Sequence, residues 1–346
     1  MNWRRNCDWK PRRMPDAIAA ARRPREYSRG KNRRGSGACM ERLVSWAERG
    51  GKARIKRTER GRKVRLMDDT DYALGRSKAE YNRWIEQGEV LRPLTERLLR
   101  AAGIGPGMYV LDIGCGAGDV SFLVSEIVGP QGSVVGIDLD GEAICFADER
   151  RAARGGANVM FREADARSVD SERLFDAAVG RLVLAYMSDP TAALRLIAER
   201  VRPGGIVAFQ ESGAGISPAS AMNLPVLASL QNLLRTTFKR SGARVGISVE
   251  LYSMMRDAGL EPEPRPLAEV AICMDQGAVA YRHWALMARS MLPKIVKYGL
   301  ATEEEVLDIV ERRLRDELID ARGVVPLSWL LIGQWARKPQ TGPSAI

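Results

Sequence analysis

The stretch Val110-Leu111-Asp112-Ile113-Gly114-Cys115-Gly116-Ala117-Gly118-Asp119 decides the fold of this chain. Four residues of strand character run into a glycine-rich turn, and the turn opens a helix. Glycines let a ligand approach the backbone, and the helix N-terminus offers unpaired N–H donors. A turn of this composition can also stand without a ligand. The second acid downstream argues against that reading. Asp138 ends the next apolar run, Val134-Val135-Gly136-Ile137-Asp138, where a carboxylate can take both ribose hydroxyls of a nucleoside. The spacing is G-x-G-x-G, not the G-x-G-x-x-G of a dinucleotide site. Asp112 sits at the end of the first strand, where it would repel a pyrophosphate and attract an ammonium group.

Working outward, apolar runs and helical patterns alternate. Strands are predicted at Tyr109–Ile113, Ser133–Asp138, Val159–Arg162, Ala177–Val179 and Ile206–Gln210. Helices are predicted at Asp119–Val128, Gly141–Arg154 and Thr191–Val201, with Asp140 as a cap and Arg202-Pro203-Gly204-Gly205 as a tight turn. Such alternation means a parallel sheet with helices on both faces. Upstream, Ser77-Lys78-Ala79-Glu80 reads as a capping box, with one helix to Gly88 and a second over Pro93–Ala102. Downstream, helices are predicted at Ala219–Arg240, Ser248–Ala258, Gly277–Leu292 and Thr302–Ile319, with strands at Glu269–Ile272 and Leu327–Trp335.

These residues resemble the class I S-adenosylmethionine (SAM)-dependent methyltransferases over about Met108–Ala208. The first motif is matched by Leu111–Gly118 and the ribose acid by Asp138. The adenine loop is matched by Ala164-Asp165-Ala166, the fourth strand by Phe175–Arg181, and the turn into the fifth by Arg202–Gly205. Within the superfamily the branch resembled contains the ubiquinone and menaquinone C-methyltransferases and many small-molecule methyltransferases. The resemblance implies an α/β, Rossmann-like, seven-stranded sheet whose final strand is antiparallel, with N-terminal helices and a C-terminal helical insert. It implies SAM as cofactor. Gly114, Cys115, Gly116 and Gly118 would line the methionine part, and Asp112 would polarise it. Asp138 would bind ribose, Leu139 would pack on adenine, and Asp165 and Ala166 would face the adenine. Arg181 and Leu182 would face the methyl donor. Tyr72 and Gln87 are candidates to cover the cofactor.

Methyl transfer needs a base only when the acceptor arrives protonated. Two candidates stand out: Glu211, just after the fifth strand, and His283, the single histidine. A solvated loop acid and a structural core histidine are the bland alternatives. Tyr281, Trp284, Met287 and Met291 form a stripe at helical spacing that reads either as core or as an apolar acceptor pocket.

Composition narrows the classes. Residues 1–66 hold 22 Lys and Arg against 6 Asp and Glu, while the remaining 280 hold 32 against 37. The basic excess therefore belongs to the first fifth of the chain, and residues 67–346 offer no phosphate-tracking surface. After the fourth strand stands Gly180-Arg181-Leu182-Val183-Leu184, not an Asn/Asp-Pro-Pro-Tyr/Phe run, so a nucleic-acid methyltransferase is the weaker reading. A SAM-binding regulator remains a third. Five scattered cysteines and one histidine point to a reducing, cytoplasmic compartment and to no metal centre. No run approaches the roughly 18 apolar residues of a membrane span.

Residues 1–66 show no sustained periodicity and read as a disordered tail. They are open to three explanations: a basic arm for nucleic acid or membrane, a transit peptide, or upstream sequence with Met67 as the start. The methyltransferase domain is expected over 67–338, with a helical cap at 213–265 and 275–322, and 339–346 as a loose tail. A chain starting at Met67 is expected to keep its thermal melting temperature and SAM affinity; unfolding or loss of binding would show that the tail packs on the domain.

Overall fold

In a computed structural model of the protein, residue 74 and residues 78–340 are described, apart from 157, 167–168, 170, 172, 214–222, 272–276 and 321–328. The expected tail 1–66, Ser77 and Tyr72 therefore lie outside the described residues. Helix α1, Lys78–Ala102, leads into strand β1, Tyr109–Ile113. There follow α2 (Asp119–Val128), β2 (Ser133–Asp138), α3 (Gly141–Arg154), β3 (Val159–Glu163), β4 (Phe175–Arg181), α4 (Pro190–Arg200) and β5 (Val201–Ser212). The chain continues through α5 (Pro225–Arg240), α6 (Leu251–Asp257), β6 (Glu261–Pro262), β7 (Leu267–Ala271) and α7 (Gly277–Lys297). Last come α8 (Glu303–Asp308), α9 (Leu314–Asp320) and β8 (Trp329–Arg337).

The strands form one sheet in the order β3-β2-β1-β4-β5-β8. Strands β1 to β5 pair in parallel, and β8 runs antiparallel beside β5. Two short strands share the far side of β8: β6 meets Ala336–Arg337 and β7 meets Trp329–Gly333. The sheet is thus eight strands in seven positions, and the expected antiparallel last strand is present.

Alternation along each strand feeds two cores. Val110, Ala177, Val179 and Ala208 pack with Val120, Leu123 and Val124 of α2 and Leu99 of α1. Leu111, Ile113, Ala178, Val207 and Phe209 pack on the opposite face with Leu194 and Ile197 of α4 and Met254 and Met255 of α6. A third core gathers Leu227, Leu230, Leu234, Met291, Val306, Val310 and Leu314 from α5, α7, α8, α9 and the turn between the last two, with Leu74 in it and Val90 of α1 packed against it. The expected cap over 213–265 therefore divides. Its α5 joins the helical layer, whereas α6 flanks the sheet, because its apolar face meets α4.

Several boundaries differ for local reasons. A break at Gly88 and a restart at Pro93 are not seen; α1 runs through both. Gly88 serves contact instead, since a Cβ there would lie 2.8 Å from Cγ of Asp119 on α2. Likewise α7 runs through Pro293 to Lys297. The expected helix 302–319 contains a π-helical turn at Ile309–Arg313. The Arg202–Gly205 turn lies inside β5, as an irregularity between the Phe175–Val201 and Ala177–Ile206 pairs. Asp176 anchors it, accepting from Arg202 Nε at 2.6 Å and from the Tyr109 N–H at 2.8 Å.

A Cβ on Gly205 would stand 2.7 Å from the Asp176 carbonyl oxygen and 2.9 Å from that of Arg202, both backbone atoms. Gly205→Ala is therefore expected to destabilise the fold by about 1–3 kcal/mol, read by chemical denaturation. An unchanged midpoint would show that the loop-out relaxes freely.

Candidate functional site

A cavity of about 660 Å³ opens along the C-terminal ends of β1, β2 and β4. This is the edge where strand order reverses direction between β1 and β4, the usual crevice of open α/β sheets. One half is walled by the turn after β1, by Asp138, Leu139 and Asp140, and by Ala164, Asp165 and Ala166. The other half runs beneath α5 and α7, past Met187, Leu234, Phe238, Trp284 and Met287.

The turn is built by close approach. Gly114, Gly116 and Gly118 have φ of +66°, +49° and +87°, a region that favours glycine. Side chains at Gly114 and Gly116 would strike Val183 and the Trp84 ring. Gly118 stands behind the cavity wall: a Cβ there would lie 2.7 Å from Phe161 of β3. Cys115 lines the cavity, but burial pushes its thiol well above the ordinary value, so it packs rather than reacts.

Asp112 lies one layer beneath the turn, 1% exposed and, unlike the expected cofactor-lining residues Gly114 and Asp138, not on the cavity wall. Its Oδ2 accepts from Ser121 Oγ at 2.5 Å, and its Oδ1 is buried without a hydrogen-bond partner. Burial raises its pKa from 3.8 to about 7, against the opposing effects of Ser121 and the Arg181 guanidinium. Asp138 accepts from the Gly116 N–H at 2.9 Å and the Asp140 N–H at 3.0 Å, which fixes its carboxylate at the wall. Burial raises its pKa as well. Asp140 caps α3, as expected, accepting from Glu142 and Ala143. Leu139 remains 47% exposed on the rim, an apolar shelf beside Asp165.

Helix α1 closes this half, through Tyr81, Arg83 and Trp84, which the sequence did not single out, together with Glu80 and Gln87. Glu80 accepts from Trp84 Nε1 at 2.8 Å and forms a buried ion pair with Arg83. Arg83 also donates to Gln87 Oε1 at 2.9 Å, and Gln87 lies on the cavity wall. Tyr81 donates its hydroxyl to Asp140 Oδ2 at 3.0 Å, so α1 is fastened to the loop after β2. The stripe Tyr81, Trp84, Gln87, Gly88 was readable as one helix face.

Arg181 and Leu182 close the far end of the same half. Arg181 donates from Nη1 to Thr95 Oγ1 at 3.1 Å, and Thr95 donates to Gln210 Oε1 at 2.8 Å. Leu182 has φ +57°. The next two N–H groups, of Val183 and Leu184, donate to Glu211 Oε1 at 2.9 and 2.8 Å. Glu211 is 1% exposed and is not on the cavity wall. It is placed as the acceptor that holds the loop after β4, the loop whose Val183 rests on Gly114. Nor does His283 reach the wall; it is buried on α7, held neutral by burial and by Arg83. Neither group proposed as a base is therefore brought to the cavity. Trp284 and Met287 do line it, and they also belong to the helical core.

A family profile described as "Methyltransferase domain" matches residues 104–259. An aklanonic acid methyltransferase of Streptomyces sp. strain C5 is 33% identical over 150 residues, 41% of this chain and 67% of that protein. The chain belongs to the class I SAM-dependent methyltransferases. A nocamycin O-methyltransferase of Saccharothrix syringae is 36% identical over 118 residues, 34% of this chain and 42% of that protein. A 2-phytyl-1,4-naphthoquinone methyltransferase of Synechococcus elongatus is 28% identical over 188 residues, 54% of this chain and 77% of that protein. This methyltransferase spans about 42% of the first curated relatives it matches. Among the described residues no group of acids, histidines or cysteines could hold a metal ion, and no helix is long and apolar enough to cross a membrane.

The cofactor of the family fits the residues present. The partnerless buried oxygen of Asp112 suits an ammonium group, and the glycines leave the turn bare for a close ligand. Asp112 also makes the free methyltransferase pH-dependent. Native Asp112 holds its proton up to about pH 7, whereas the unfolded chain releases it near 3.8. Stability from this group is thus full at low pH and is lost as pH rises through that window. Asp112→Asn is expected to gain stability relative to the wild type between about pH 4 and pH 7, measured by urea denaturation. A pH-independent difference would show that Asp112 ionises normally in the fold.

Proposed function

We propose that this protein transfers the methyl group of SAM to a small acceptor with an apolar or aromatic body. The carrying observation is the continuity of the cavity. The half beside Asp112, Asp138 and Leu139 opens directly into the apolar half under α5 and α7. Bound SAM supplies an activated methyl carbon on a sulfonium, and the protein's part is to align and desolvate. Asp112, buried off the cavity wall, would act on the ammonium through its field alone, while Asp138 would hold the ribose hydroxyls and Leu139 and Asp165 the adenine. Arg181 keeps further N–H donors for the carboxylate end. Leu182 and Val183, held through Glu211, would form the wall against which the two reactants meet. The methyl carbon would thus be offered to the acceptor's lone pair, with the carbon–sulfur bonding pair leaving on sulfur, and the residues named here would hold the two in line. Alignment of this kind can supply about 7–11 kcal/mol. Trp284, Met287 and Leu234 would exclude water from the reacting centre.

The relatives named above for aklanonic acid, nocamycin and a phytylnaphthoquinone support a small-molecule acceptor, and we place the enzyme in the cytoplasm. A nucleic-acid acceptor is not favoured, because the cavity half beneath α5 and α7 is apolar.

Asp138→Ala is expected to weaken SAM binding more than tenfold in calorimetry, since charged hydrogen bonds contribute roughly 1.5–3 kcal/mol. Unchanged affinity, or NAD competing equally with SAM, would overturn the cofactor assignment. Trp284→Ala is expected to raise the acceptor KM while SAM affinity holds, in a labelled-methyl assay on a metabolite extract. Loss of thermal stability alone would make Trp284 a core residue only.

A further inference from the structure

The charge on the cavity wall changes sign from one end to the other. Asp119, Asp138, Asp140 and Asp165 line the half assigned to SAM together with Arg83, which is paired with Glu80, and Arg181, so acids outnumber cations there and suit a sulfonium and an ammonium. Among the described residues, the half beneath α5 carries no Asp, Glu, Lys or His on its wall, and its charged residues are Arg235 and Arg244. Both stand at the exposed rim, whereas Leu234, Trp284 and Met287 are buried deeper in the same half.

Neither guanidinium is used up by its neighbours. Arg235 donates from Nη2 to the neutral Asn232 Oδ1 at 2.6 Å, and no described carboxylate pairs with it. Arg244 donates from Nη2 to Glu250 Oε2 at 2.6 Å, one of five N–H donors on a guanidinium. The Arg244 loop is tied to the turn after β4, its backbone N–H donating to the Ala185 carbonyl at 2.8 Å. The backbone that carries this cation is therefore fixed relative to the reacting end of the cavity, while the guanidinium itself rests on Glu250. Arg235 is fixed by α5, whose Leu234 anchors the helix in the core.

We propose that the acceptor carries an anionic oxygen group at the end remote from the methylated atom, and that Arg235 and Arg244 hold that group at the rim. The inference rests on the proposed methyl-transfer reading and adds to it the charge and polarity of the substrate. An apolar or aromatic body fills the space against Trp284 and Met287. A carboxylate, or an acidic enol or phenol oxygen, meets the two guanidiniums in planar hydrogen bonds. A neutral acceptor of the same shape forfeits that pairing. The opposite signs of the two halves also keep each reactant from settling in the other's place.

The test uses two fluorescent probes with the same aryl body: 8-anilinonaphthalene-1-sulfonate, an anion, and N-phenyl-1-naphthylamine, which is neutral. Both are titrated into the full chain saturated with S-adenosylhomocysteine. The expected result is that Arg235→Gln/Arg244→Gln weakens the anionic probe roughly five- to tenfold and leaves the neutral probe within about twofold. Trp284→Phe, which keeps an aromatic ring in place, is expected to weaken both probes. Equal effects of the arginine substitutions on both probes, or none, would overturn the proposal. So would an anionic probe insensitive to Trp284, which would be adhering to the outer surface. Calorimetry with S-adenosylhomocysteine alone separates the readings: failure of the wild type to bind it removes the methyl-transfer reading, whatever the probes do.

Discussion

At Gly114, Gly116 and Gly118 the backbone turns through positive φ, and a Cβ at any of the three would strike Val183, Trp84 or the Phe161 ring. Three separate parts of the chain therefore converge on one turn: the loop after β4, helix α1 and strand β3. That convergence places the end of β1 against the end of β4, with α1 laid across the top. A Cβ at Gly114 or Gly118 would force its neighbour away, and one at Gly116 would press on the Trp84 ring at 3.2 Å. The turn governs the cofactor half directly and, through Val183, the wall shared with the acceptor half.

Buried carboxylates do the remaining fastening, each in a different way. Asp112 keeps one oxygen on Ser121 and leaves the other open beneath the turn. Glu211 spends its charge on backbone N–H groups of the Val183–Leu184 turn, so its electrostatic role is to hold a loop. Asp138 joins the glycine turn to the start of α3. Two of these three are desolvated enough to titrate near pH 7, Asp112 and Glu211. A bound cation beside Asp112 would favour its ionised form, which links cofactor binding to the protonation of the site.

Much of the cofactor half was legible in the sequence because its chemistry is local. A strand, a glycine turn and a helix N-terminus are adjacent in the chain, and Asp138 follows one strand later. Leu139, Asp165 and Arg181 reach the wall for similar reasons of strand-end placement, and Gln87 reaches it from one face of α1. The acceptor half was less legible because it is assembled from distant segments. Arg235, Phe238 and Arg244 have no motif; the packing of α5 on α7 brings the first two to the rim, and the bond of the Arg244 N–H to Ala185 brings the third. Glu211 and His283 show the limit of reading by residue type. Each has suitable chemistry, but the backbone of one loop claims the first, and the α7 core encloses the second. Pro93 and Pro293 misled for a simpler reason. Tertiary packing on both sides of each proline outweighs the single backbone hydrogen bond it removes.

One cavity would hold the methyl donor on its acidic side and the acceptor on its apolar side, and a crystal structure of the protein with S-adenosylhomocysteine tests that arrangement. The ribose is expected on Asp138, the adenine between Leu139 and Asp165, and the amine at the glycine turn above Asp112, with the sulfur facing the space bounded by Met187 and Trp284. A ligand whose sulfur points away from that space, or one bound with its adenine under α5, would contradict it.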